Sequence, residues 1–233
     1  MSPLNKSRSS RKPLLCYVTD RRGLPGVAQE ASLAALAQKI DEAALAGLDW
    51  IQIREKDLPA RELAALARQA LRSAAYASLA AGRSARILVN DRLDVALAEH
   101  AGGVHLGEHS MPVQEAQRLV LLTAPPASKA QDFLLGVSCH SLQAAQKAQA
   151  AGAHYIFFGP IFATPSKAAF GAPQGLERLE QVCRAVAVPV IAIGGVTLEN
   201  AVSCINAGAS GIAAIRLFQD TRDIPQLISR LVA

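Results

Sequence analysis

With 233 residues, 51% of them hydrophobic and 18% charged, the chain can bury a large core and has the length of one α/β barrel or two small domains. Aromatic residues are only 4%, which argues against a base-stacking nucleic-acid surface, and no apolar run approaches the ~18 residues of a membrane span. The net charge of +5 is modest, with Lys6, Arg8, Arg11 and Lys12 supplying much of it, and it suits anionic small molecules as well as polyanions.

Residues 1–13, MSPLNKSRSSRKP, lack a hydrophobic centre and cannot be a secretory signal. They read as a disordered lead-in, and as a transit peptide they would be short. From there the elements alternate. Leu14–Thr19 is expected as a strand and Ala31–Ala46 as an alanine- and leucine-rich helix that Gly47 ends. A strand at Trp50–Arg54 precedes a long helix, opened by Pro59 and reaching about Ala80. Strands at Arg86–Val89 and Gly103–Leu106 alternate with helices at Arg92–Glu99 and Val113–Leu122. After a loop containing Pro125-Pro126 come a strand at Phe133–Val137, a helix at Leu142–Ala151 and a strand at Tyr155–Phe158. A long loop, Gly159–Gly175, leads to a helix at Leu176–Val186. Pro189–Ile193 then runs straight into Gly194-Gly195, Thr197 is placed to cap a helix to about Asn206, and Gly208 stops it. Gly211–Ile215 is the last strand and Ile224–Leu231 the closing helix.

Continuous apolar runs mark strands buried on both faces of a parallel sheet. Near-uniform βα units without a composition break predict a single (β/α)8 TIM barrel over residues 14–233, with a doubly wound sheet as the rival. Cys16, Cys139, Cys183 and Cys204 show no CxxC or CxxH spacing and sit in apolar segments. They read as reduced core residues of a cytoplasmic protein rather than a metal site or disulfide set.

In such a barrel the chemistry lies at the C-terminal ends of the strands. In chain order that rim collects Gln52, Arg54, Glu55 and Lys56; Asn90 and Asp91; His105, Glu108 and His109; Ser138, Cys139 and His140; Thr164, Ser166 and Lys167; Gly194 and Gly195; and Arg216. Two cationic groups, Arg54 with Lys56 and Lys167 with Arg216, flank a carboxylate, Asp91. That set suggests a phosphorylated ligand with a divalent metal. Paired glycines after a strand allow close backbone approach to an anion, although a plain βα turn uses them too. Other ordinary roles stay open. Arg54-Glu55-Lys56 could be a solvated charge run, Asn90 or Asp91 could cap the next helix, and His105 and His140 could be satisfied interior histidines. Cys139 and His140 are not a nucleophile–base pair, because neighbours on a strand point to opposite faces.

The rim motifs are QIREK at Gln52 to Lys56, VND at Val89 to Asp91, GVHLG at Gly103 to Gly107 and GVSCHS at Gly136 to Ser141. FGPIFATPSK at Phe158 to Lys167, QG at Gln174-Gly175 and AIGGVTLEN at Ala192 to Asn200 follow. In this order the chain resembles the thiamine phosphate synthases from Leu14 to Phe218. The resemblance implies a magnesium-dependent transferase that joins hydroxymethylpyrimidine diphosphate to hydroxyethylthiazole phosphate and releases diphosphate. It assigns Gln52, Arg54, Lys56 and Asn90 to the pyrimidine diphosphate and Ser138 to the pyrimidine side of the site, and counts Ile53, Glu55 and His105 among the substrate-binding residues. Thr164, Pro165 and Ser166 go to the thiazole phosphate with Gly194, Gly195, Ile215 and Arg216, and Lys167 to the diphosphate. Arg54, Lys56, Ser138, Lys167 and His140 are its catalytic candidates, and Asp91 carries the Mg²⁺. Stabilising a leaving group and a cation needs preorganised charge rather than a protein nucleophile. A homodimer fits the resemblance, and no nucleic acid or membrane partner is expected.

Two positions depart from that family pattern. A second magnesium carboxylate belongs where Ser110 stands, with Glu108 or water as the substitute, and a serine belongs where Arg216 stands, an arginine that could bind the thiazole phosphate directly or occlude the substrate. A sister family on the same fold, the thiazole tautomerases, uses a histidine matching His140, which synthases often carry as well, so it does not discriminate. A third reading is an inactive barrel that binds thiamine precursors. Lys56, Asp91 and Lys167 favour the synthase, since a tautomerase has no diphosphate to hold.

Overall fold

In a computed structural model, the structure describes residues 12–82, 84–107, 109–123, 132–164 and 172–232. The lead-in expected over residues 1–13 therefore lies almost wholly outside the described residues. Eight parallel strands close on themselves in sequence order: β1 Leu14–Val18, β2 Trp50–Ile53, β3 Arg86–Asn90, β4 Gly103–Leu106, β5 Leu134–Cys139, β6 Tyr155–Phe158, β7 Val190–Ile193 and β8 Gly211–Ala214. The outer ring is α1 Ser32–Leu45, α2 Ala60–Ala81, α3 Leu93–Ala98, α4 Val113–Thr123, α5 Leu142–Ala150, α6 Gly175–Ala185, α7 Ala201–Asn206, a short α8 Arg216–Gln219, and α9 Ile224–Val232. This is the expected (β/α)8 barrel.

Side-chain alternation along each strand divides the core in two. Leu15, Tyr17, Ile51, Ile53, Ile87, Val89, Ile156 and Phe158 face outward and pack with the helices. Cys16, Val18, Leu88, Tyr155, Phe157, Ile191 and Ala213 fill the barrel. Three aromatics meet there: Trp50 lies 4.6 Å from Tyr155 and Tyr155 lies 5.4 Å from Phe157, centroid to centroid. Burying one such ring contributes about 2–3 kcal/mol. Space for them comes from small neighbours. A Cβ on Gly136 would lie 1.9 Å from Cζ of Tyr155, so glycine in β5 is what lets the β6 tyrosine occupy the axis.

The structure revises several boundaries. β5 extends to Cys139, which carries Ser138 on the strand itself and turns it inward in register with Phe157. Thr197 does not cap α7. The helix starts at Ala201, and Asn200 instead folds back, accepting from the Thr197 N–H (2.8 Å) and donating to the Gly195 carbonyl (3.0 Å). The short α8 was not anticipated. Its buried Gln219 accepts from the Tyr17 hydroxyl (3.1 Å) and donates to the Asp20 carbonyl (2.8 Å), tying the end of the chain to its first strand. Among the described residues no helix is long and apolar enough to cross a membrane.

Candidate active site

Parity decides which rim residues enter the mouth. Gln52, Asn90, His105 and Ser138 occupy inward positions at the C-terminal ends of β2 to β5. Gln52 is buried, and its Nε2 donates to Asn90 Oδ1 over 2.9 Å. Its Oε1 has no partner, the one buried side-chain polar atom among the described residues so placed. An acceptor left unsatisfied inside a protein costs about 1–3 kcal/mol, which a ligand donor would recover.

His105 sits one strand further on. Its Nε2 lies 2.9 Å from Ser138 Oγ and its Nδ1 3.1 Å from the Tyr155 hydroxyl. The ring stacks on Phe157 at 4.2 Å. Burial, with the nearby Arg54 charge as a smaller cause, drives its pKa down to about 3, so it is a neutral imidazole. Arg54 is half-buried, Lys56 and Arg216 are exposed, and among the described residues none of the three forms an ion pair. Cations without carboxylate partners at the mouth of a barrel are an invitation to an anion.

Asp91 follows Asn90 with φ of 67°, a left-handed conformation uncommon outside glycine and frequent at functional sites. Its N–H is held by the His105 carbonyl at 2.8 Å, which presents an exposed carboxylate on the rim. The helix-cap role is not what Asn90 and Asp91 do. The cap position belongs to Arg92, without a side-chain cap bond. Ser110, at the position of the expected second carboxylate, uses its Oγ to accept from the Gly107 N–H over 2.7 Å. Glu108 lies outside the described residues, as do Pro165, Ser166 and Lys167 of the long loop. Among the described residues no cluster of three or more His, Cys, Asp or Glu converges.

Three expected residues are turned away from the mouth. Ile53 packs outward in the helix layer. Glu55, also on that side, is buried and committed: Thr19 Oγ1 donates to it over 2.6 Å and the Arg21 guanidinium pairs with it at 3.0 Å. Arg21 also pairs with Asp57, which holds that carboxyl well below its ordinary range. Sequence reasoning had passed over the segment after β1. Its signal was Thr19-Asp20-Arg21-Arg22 following an apolar strand, a polar run opposite QIREK. His140, the third, bonds through Nδ1 to the Gly159 carbonyl. Its ring borders a cavity of about 160 Å³ with Phe158, Val182, Gln174 and Arg178, between α5 and α6 rather than on the barrel axis.

The far side of the mouth is built from backbone. Gly194 and Gly195 have φ of 94° and 68°. A Cβ on Gly194 would lie 2.6 Å from Pro160 Cα, and one on Gly195 2.7 Å from the Ala163 carbonyl oxygen. Both glycines are thus required by the packing of the β6 loop on the β7 turn. Half-buried Thr164 ends the described part of that loop, Ile215 closes the interior cluster, and Arg216 opens α8.

Fold and site together define an enzyme barrel with a polar, cation-rimmed mouth. A family model described as thiamine monophosphate synthase matches residues 26–218. A putative thiamine-phosphate synthase of Geobacter sulfurreducens is 40% identical over 201 residues, 86% of this chain and 84% of that protein. The thiamine-phosphate synthase of Roseiflexus sp. is 39% identical over 202 residues, 87% and 76% of the two chains. The solved thiamine phosphate pyrophosphorylase of Pyrococcus furiosus superimposes with a TM-score of 0.75 at 30% identity, covering 94% of this chain and 93% of that one. The chain belongs to the thiamine monophosphate synthase family, transferases of thiamine biosynthesis.

Proposed function

We propose that the mouth of this barrel joins a pyrimidine diphosphate to a thiazole phosphate, giving thiamine phosphate and diphosphate, and that the two halves of the rim divide the substrates. The observation that carries this reading is that, among the described residues, Gln52 Oε1 has no partner and Arg54, two residues on, forms no ion pair. A buried acceptor on the same rim as a cation without an ion-pair partner suits a ligand with a donor on one part and negative charge on another. The pyrimidine would lie on Gln52, Asn90 and Ser138, with its diphosphate toward Arg54 and Lys56. By its place in FGPIFATPSK, Lys167 is assigned to the same diphosphate. Thr164, Pro165 and Ser166 would take the thiazole phosphate with Gly194, Gly195, Ile215 and Arg216.

The reaction breaks the C–O bond to the diphosphate, which leaves with the bonding pair, and the thiazole nitrogen donates the pair that forms the new C–N bond. Arg54 and Lys56 favour departure by binding the diphosphate more strongly as its charge develops. The neutral His105 and the aromatic floor exclude water that would capture the pyrimidine cation. Asp91 fits a magnesium ion, since such ions are held by one or two carboxylates together with substrate phosphates rather than by an all-protein cage. When bound, magnesium offsets charge on the diphosphate. The isomerase reading depends on His140, whose Nδ1 is occupied by the Gly159 carbonyl. The transferase reading needs no acid–base group and is preferred.

A coupling assay tests this. The protein is mixed with both substrates and Mg²⁺, and thiamine phosphate is measured with and without EDTA. Product that disappears with EDTA is expected. No product from folded protein that still binds the thiazole carboxylate phosphate would overturn the reading in favour of the isomerase.

A further inference from the structure

The inward layer contains three hydrogen-bonding groups in a row: the Tyr155 hydroxyl, the His105 ring and the Ser138 hydroxyl, joined at 3.1 Å and 2.9 Å. A row of this kind has a direction, and the direction is set where there is least choice. Tyr155 is that place. It is buried on the barrel axis, enclosed by Trp50, Phe157 and Gly136, and burial keeps it a neutral phenol. Among the described residues its oxygen has one hydrogen-bond neighbour, His105 Nδ1. If Nδ1 carried the ring proton, the phenolic hydrogen would be buried without an acceptor, a state that folded proteins avoid. The phenol therefore donates to Nδ1. In a neutral imidazole the proton then sits on Nε2, which donates to Ser138 Oγ. With its oxygen occupied as an acceptor, the half-buried serine hydroxyl has its own hydrogen to offer.

We propose that Tyr155 and His105 are positioning residues that fix the Ser138 hydroxyl as a hydrogen-bond donor at the mouth, where it recognises an unprotonated ring nitrogen of the pyrimidine. This rests on the function proposed above. It deepens that reading by giving the pyrimidine side of the mouth a defined polarity: a donor at Ser138 and an acceptor at Gln52 Oε1. A ring with an acceptor nitrogen and an amino group matches that pair. A ring whose nitrogen is protonated and whose substituent is a carbonyl opposes it at both points. Rejection is strong when a mismatch leaves buried polar groups unpaired.

The first measurement is a ¹⁵N-detected spectrum of the histidine rings in the whole protein, with His105 assigned by comparison with His105→Gln. An Nε2–H tautomer with unprotonated Nδ1 is expected. An Nδ1–H tautomer would overturn the relay, whatever any variant does. The second is Tyr155→Phe, which removes the hydroxyl and keeps the ring. The His105 signal is expected to move toward a mixture of tautomers. The KM for the pyrimidine diphosphate should rise about tenfold, the loss of one hydrogen bond, with kcat and the KM for thiazole phosphate changed less than about twofold. Ser138→Ala should raise the same KM, and the double variant should add nothing further. Equal rises in both KM values, or additive losses in the double variant, would show that Tyr155 acts only through packing. Failure of the unaltered protein to couple the substrates would count against the proposed reaction alone, and the spectrum would still decide the relay.

Discussion

The two sides of the barrel mouth are built on different principles. From β2 to β5 the wall is made of side chains: Gln52 to Asn90, and His105 to Ser138, held by hydrogen bonds and packed on an aromatic floor. From β6 to β8 it is made of backbone: a loop ending its described part at Thr164, two glycines at positive φ that Pro160 and Phe162 leave no room to replace, and the start of a short helix. The first side can read the hydrogen-bonding edge of a ring, because its donors and acceptors are fixed before a ligand arrives. The second suits a phosphate, whose oxygens are equivalent and are met by N–H groups and a cation without orientation by a ring.

Substitutions separate the two sides most sharply at Asp91, the proposed metal carboxylate. Asp91→Ala should lower kcat about 1,000-fold in Mg²⁺ and leave the melting temperature nearly unchanged, because the carboxylate is exposed on the rim. Unchanged turnover would remove Asp91 from the metal site. Acid should expose the side-chain half next. The folded pKa of His105, about 3, lies below its ordinary 6.5, so the unfolded chain binds the extra proton between those values. Stability is therefore full above pH 6.5 and falls as pH drops, by about 1.4 kcal/mol for each pH unit, until the folded imidazole itself protonates. Denaturant melts between pH 7 and 4.5 should show this slope, and His105→Gln should flatten it.

Lys56→Ala should reduce kcat about 100-fold while the KM for thiazole phosphate stays within about twofold. An equal loss in both would contradict a diphosphate role. On the backbone half, Gly195→Ala forces a Cβ to 2.7 Å from the Ala163 carbonyl oxygen at φ of 68°. It should destabilise the fold by about 1–3 kcal/mol and raise the KM for thiazole phosphate with little change for the pyrimidine. The smallest effect is expected at Arg216, exposed on α8. Arg216→Ser should raise the KM for thiazole phosphate about threefold at low salt, and less at high salt.

The sequence alone determined the barrel and the strand that supplies each part of the rim. Short, continuous apolar runs with helices between them admit few other parallel folds, and every expected strand is present within two residues. It also placed Gln52, Asn90, His105 and Ser138 on one rim, because their motifs end consecutive strands. What only the tertiary structure decided is which way each side chain turns and what already occupies it. Ile53 and Glu55 lie within the same motif as Gln52 and Arg54, yet alternation sends Ile53 to the helix layer, and Glu55 is taken up by Thr19 and Arg21 from another loop. His140 reads as well as His105 in the sequence, but one bonds a backbone carbonyl beside the helices and the other lies on the barrel axis. The tyrosine that gives the mouth its polarity sits in a plain apolar strand, YIFF, and its role exists only because Gly136 of the neighbouring strand leaves it space. Alternation and composition are local and can be read along a chain; hydrogen-bond partners 30 or more residues apart are chosen by the closure of the barrel.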